Sequence, residues 1–114
     1  MASAKIPGPL ERRHLVEKEL PPAQALAIAE AYLEQDRCVE AVDFLALAEA
    51  TDRLALLRRR AIEQGDAFLL RAVTVAEERP PTRDDWQRLA EAADAHGLER
   101  YAVEARRQAD RGDD

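Results

Sequence analysis

Apolar positions recur along this chain at three- and four-residue intervals, the period of helices that bury one face. Leu26, Ala29 and Leu33 form one row beside a second row of Ala25, Ile28 and Tyr32, which predicts a helix from about Pro22 to Gln35. Cys38, Ala41, Leu45 and Ala48, flanked by Val42 and Phe44, predict the next, from about Arg37 to Ala50. Thr51 or Asp52 then caps a third that carries Leu54, Leu57 and Ala61. Gln64-Gly65-Asp66 reads as a helix stop followed by a new cap. The run Ala67-Phe68-Leu69-Leu70-Arg71-Ala72-Val73-Thr74-Val75-Ala76 is apolar nearly all round, which predicts burial on most sides. Val73-Thr74-Val75 favours a strand locally, yet the run lies between helical blocks with no partner strand, so a helix ended by Pro80-Pro81 is the expectation. Thr82 and Asp85 form a capping box with Asp in place of the usual Glu, opening a fifth helix whose Trp86, Leu89, Ala90 and Ala93 point inward. Gly97 stops it near His96, and a sixth, about Leu98 to Arg111, carries Tyr101, Ala102, Ala105 and Ala109. Ahead of the six, residues 1–9 read as a flexible lead-in, and Leu10 to Leu20 as a short, charged, weakly amphipathic helix ended by Pro21 and Pro22. Residues 112–114 read as a frayed tail.

The mid-hairpin turns fall at Asp36, Gly65 and Gly97, so helix–turn–helix units recur at intervals of 29 and 32 residues. Such a period marks stacked hairpins, because one hairpin cannot cover its own apolar face and a neighbour can. The middle unit should then be the most apolar, and its second helix is. Ile28-Ala29, Tyr32, the turn at Asp36, then Ala41, Leu45 and Ala48 resemble a tetratricopeptide repeat. So do Trp86, Leu89-Ala90, the turn at Gly97, then Ala102 and Ala109. The middle unit departs from the pattern, with Arg58 and Leu70 where that family places small residues, and all three units are shorter than its ~34 residues. The resemblance covers about residues 22–111 and implies an all-α fold. Three antiparallel helix pairs (about 22–50, 51–79 and 82–111) would form a right-handed stack within one domain spanning 10–111, with the short extra N-terminal helix in front. HEAT-type and unrelated α-hairpin stacks stay open.

In the family it resembles, the first helix of each pair lines a concave groove. Carried over, the lining is Glu30 and Glu34, Arg59 and Glu63, then Gln87, Glu91 and Asp94. Five of these are acids, so the groove should favour a basic or amphipathic segment. A subgroup of that family clamps a carboxylate with Lys and Asn; this chain has no Asn, and its two lysines, Lys5 and Lys18, precede the repeats.

Charge narrows the partner classes. Seventeen basic and 23 acidic side chains give a net charge of -6, the wrong sign for a protein that holds nucleic acid by neutralising phosphates. By segment the charge is +1 over 1–20, -5 over 21–50, +1 over 51–79 and -3 over 80–114, so no part is basic enough to follow a duplex. The start meets Pro7, Gly8 and Pro9 before any apolar run, unlike a secretory signal, and no stretch approaches the ~18 apolar residues of a membrane span. The one cysteine, Cys38, closes no intrachain disulfide. A cytoplasmic location is the expectation.

Each candidate for chemistry has a plainer explanation. Glu11 and His14 stand at the spacing of a bundle metal ligand pair, but no second Glu-x-x-His exists, since Ala93 precedes His96 by three. Cys38 lies in an apolar stripe and reads as packing. Asp84 and Asp85 sit in a first turn, where carboxylates offset the helix dipole. Arg58-Arg59-Arg60 is the basic run; three consecutive helical residues point in different directions, so pairing with the acidic first unit or solvation is expected. Trp86 and Tyr32 stand at core spacing. No catalytic residue, metal site or cofactor is assigned, and the chain is not expected to be an enzyme. The expectation is a small adaptor that binds another protein or peptide, with a homo-oligomer joined through its stack ends, by Leu98 and Tyr101, as the alternative.

Overall fold

Pro22, Asp66 and Thr82 start helices in a computed structural model that describes residues 6–17 and 20–111. Among these residues every regular element is helical: α1 (Pro9–Glu17), α2 (Pro22–Glu34), α3 (Cys38–Leu47), α4 (Thr51–Gln64), α5 (Ala67–Glu77), α6 (Arg83–Ala95) and α7 (Glu99–Arg111). The tail, residues 1–5 of the lead-in with Lys5, and positions 18–19 of the first expected helix lie outside the described residues. No helix among the described residues is long and apolar enough to cross a membrane. The chain divides into two compact units, Met1–Leu54 and Ala55–Asp114, with the boundary inside α4.

Local chemistry accounts for the starts. Pro22 opens α2, where a missing N–H leaves no bond unmade. Asp66 accepts a hydrogen bond from the Leu69 N–H at 3.0 Å. Thr82 Oγ1 accepts from the Asp85 N–H, and Asp85 Oδ2 accepts from the Thr82 N–H, each at 3.0 Å, which completes the expected box.

The helix ends share one geometry. After α2 to α6 one residue takes left-handed backbone: Asp36, Glu49, Gly65, Glu78 and Gly97, with φ of 59°, 53°, 71°, 53° and 72°. At each, its N–H and the next reach back to the last turn: Arg37 N–H to Tyr32 O, Ala50 to Leu45, Asp66 to Ala61, Arg79 to Thr74 and Leu98 to Ala93, between 2.8 and 3.2 Å. This is the Schellman arrangement, which satisfies carbonyls that a helix end would otherwise strand. The chain therefore leaves α3 and α5 at Glu49 and Glu78, ahead of Thr51 and of Pro80-Pro81. Both pairs Asp36/Gly65 and Glu49/Glu78 are 29 residues apart.

In the first unit α2 packs on α3, with Ala25, Ala29, Tyr32, Ala41, Phe44 and Leu45 fully enclosed. Leu26, Ile28 and Leu33 stay half-buried, because the closest approach runs along the alanines. Tyr32 and Phe44 stack at 5.8 Å. In the second unit α6 packs on α7 through alanines from both sides (Ala90, Ala93, Ala102, Ala105 and Ala109), with Leu89 and Trp86 beside them. α5 is helical as expected, but its burial is one-sided: Leu69, Leu70 and Val73 are enclosed, while Phe68 and Val75 are 61% and 78% exposed. The expectation of burial on most sides is corrected accordingly.

Candidate functional site

The seven residues expected to line a groove stand on α2, α4 and α6, and all are exposed. Glu30 and Glu34 lie on α2 in the first unit; Glu30 has the Arg53 guanidinium 3.7 Å away, which offsets part of its charge. In the second unit Arg59 and Glu63 project from α4. Gln87, Glu91 and Asp94 project from α6, and here the structure brings expected residues together.

A groove of about 510 Å³ runs between α6 and α7, lined by Gln87, Ala90 and Glu91 from one helix and Arg106, Ala109 and Asp110 from the other. Its floor is low because α6 and α7 touch through alanines. Asp94 forms an ion pair with Arg106. The hydrogen bond that Arg106 donates to that carboxylate raises the Arg106 pKa, and the charges of Asp94 and Glu91 add to it. With Arg106 tied to Asp94, Glu91 and Asp110 set the sign of the groove. Of the expected α4 and α6 residues, Gln87 and Glu91 line it and Arg59, Glu63 and Asp94 do not. Half of the lining comes from α7, which the family resemblance left out. The signal was present in the Ala102, Ala105 and Ala109 stripe, whose neighbours Arg106 and Asp110 must fall at the rim of any face the alanines bury.

Arg58 departs furthest from expectation. Only 6% exposed, it is not solvated as expected, and the acids it meets are Glu77 and Asp85 of its own unit. Its guanidinium donates to Glu77 Oε1 at 2.9 Å, Asp85 Oδ2 at 3.0 Å, and the carbonyls of Arg79 and Pro80 at 3.3 Å each. One side chain thus fastens α4 to the end of α5, the turn after it and the start of α6. Burial pushes the Asp85 carboxyl up, but the Thr82 N–H and Arg58 outweigh it and hold the pKa below the usual carboxylate range. The position is filled by a buried cation with its own acceptors.

Cys38 is buried, its thiol 3.9 Å from Asp36 Oδ1. Trp86 and Tyr32 belong to the cores. Among the described residues no three His, Cys, Asp or Glu side chains converge as a metal site requires. No protein-family model matches the chain, and comparison with curated proteins and with solved structures returns no significant match.

Proposed function

We propose that this chain is a small non-enzymatic interaction module, a tetratricopeptide-like stack of helical hairpins that binds a basic or amphipathic segment of another protein. The observation that carries the reading is the α6–α7 groove, where an alanine floor allows a helix or extended segment to come close and Glu91 and Asp110 offer acceptors to its cations. Five turns of one geometry, two pairs of them 29 residues apart, support the repeat character of the fold. The acidic surface is narrower than the sequence suggested, because Asp94 is engaged by Arg106 and Glu30 lies close to Arg53.

Self-association through the stack end draws on a hollow of about 430 Å³ beside Leu98 and Tyr101. The outward side of α7 also exposes Glu99, Arg100 and Arg107, charges that a tight apolar interface would have to desolvate.

The test is fluorescence anisotropy with two labelled amphipathic peptides of one apolar pattern, one basic and one acidic. The basic peptide is expected to bind, and Glu91→Lys with Asp110→Lys to weaken it at least tenfold while the melting curve is preserved. Equal affinity for both peptides, or no loss in the double variant, would discard the groove.

A further inference from the structure

α1 lies on α3, and Arg12 shows what that surface accepts. Its Nη2 donates to the Glu40 carbonyl at 2.9 Å and to Asp43 Oδ2 at 3.0 Å. Its guanidinium carbon stands 5.9 Å from the centre of the Tyr32 ring and 5.5 Å from that of Phe44, within the range of cation–π attraction. Two stacked rings, a carboxylate and a carbonyl together make a seat for a guanidinium, whose flat face suits the rings and whose edge suits the oxygens.

The resident arginine fits this seat incompletely. Arg12 Nε and the Tyr32 hydroxyl are both buried with no hydrogen-bond partner, and a buried polar atom left unpaired forfeits the bond that water would supply. Of these two atoms, Arg12 Nε belongs to the contact between α1 and α3, beside the Nη2 that reaches Glu40 and Asp43. The rest of α1 adds little apolar anchoring: Leu10 is 85% exposed, and Leu15 and Val16 are half-buried. Lifting α1 would hydrate Arg12 Nε and take its guanidinium off both rings, leaving the Arg37 guanidinium 5.0 Å from the Tyr32 ring.

We propose that the α2–α3 face beneath α1 is a docking seat for an arginine-bearing helical segment of a partner protein, and that α1 occupies it in cis as a built-in competitor. A partner whose arginine satisfies all its donors displaces α1. The seat lies wholly within the first unit and does not depend on the α6–α7 groove.

The probe is a synthetic peptide of residues 6–20, with an Arg12→Ala version as control, titrated by calorimetry into the full chain and into its Arg12→Ala variant. The unmodified peptide is expected to bind the variant chain at least tenfold more tightly than the unmodified chain. The control peptide is expected to bind neither, and Asp43→Asn added to the variant chain to remove the gain. Arg12→Lys, which keeps the charge but loses the flat guanidinium, covers failure of Arg12→Ala to fold and should show a smaller gain. In the unmodified chain, amide exchange in α1 should be at least tenfold faster than in α2 and α3. The proposal is overturned if α1 exchanges as slowly as they do, if the peptide binds both chains equally or neither, or if sedimentation shows a dimer that exchanges α1 between copies.

Discussion

Arg12 and Arg58 each carry a guanidinium into a packed part of the chain, and each meets a carboxylate and main-chain carbonyl oxygen there. Arg12 reaches its oxygens through one nitrogen, leaves Nε unpaired, and ends on an Asp43 that is half in water. Arg58 spreads four bonds over two nitrogens, and both carboxylates it meets are themselves largely enclosed. The lesson is that an arginine in a helical core fixes its neighbours in proportion to how completely its donors are matched. In the second unit that match joins three helices; in the first it clips a single short helix to its neighbour.

The largest effect expected from this contrast comes from Arg58→Ala. It strands Glu77 and Asp85 in a buried place, and breaking such a pair from one side costs about 3–5 kcal/mol. Urea denaturation should show that loss; one below ~1 kcal/mol would mean that the network does not fasten the unit. Acid adds a second measure. The Asp85 pKa is lowered in the folded chain, so its contribution is present above the unfolded carboxylate pKa of about 3.9 and fades as pH falls through the lower folded value. Arg58→Met removes one cause of the depression, so its unfolding midpoint should depend less on acid in this range than that of the unmodified chain.

Gly65 and Gly97 sharpen the comparison within the second unit. Both hold the same left-handed backbone, at φ of 71° and 72°, so alanine meets the same conformational cost at each, about 1 kcal/mol. Their surroundings differ. A Cβ at Gly65 would stand 2.4 Å from the Ala93 nitrogen and 2.5 Å from its Cα, whereas at Gly97 nothing lies within 4 Å. Overpacking against backbone adds roughly 1–3 kcal/mol, so Gly65→Ala should lower stability by about 2–4 kcal/mol and Gly97→Ala by about 1. Equal melting shifts would show that α6 yields at Ala93 and that the turn is not wedged against it.

Much of this architecture is legible in the residues because local chemistry and the apolar period agree. Trp86, Leu89, Ala90 and Ala93 were expected inward and are buried, and the Thr82–Asp85 box is present as read. What escaped the sequence is what depends on a neighbour. The outward turn of Phe68 and Val75 cannot be read from a run that is apolar on every side. The acceptors of Arg58 lie 19 to 27 residues away, and two are main-chain carbonyls that carry no sequence signature. The groove was half legible, since periodicity places Gln87 and Glu91 on an exposed face but does not reveal which second-helix residues stand opposite.

The smallest effect tests the turns that the two units share. Glu49, in the first unit, and Glu78, in the second, hold left-handed backbone that costs a residue with a Cβ roughly 1 kcal/mol or more relative to glycine. Each also sets a negative charge at a helix C-terminus, where the dipole disfavours it. Glu49→Gly and Glu78→Gly should therefore each stabilise the chain, by about 0.5–1 kcal/mol after the added chain entropy of glycine is subtracted. Thermal melts of the two variants and their combination check this. Because the turns lie 29 residues apart and each closes its own backbone hydrogen bonds, the gains should add. A gain at Glu49 with none at Glu78 would show that the second unit, already fastened by Arg58 on the carbonyls of Arg79 and Pro80 beside that turn, relies on the glutamate in a way that the first does not.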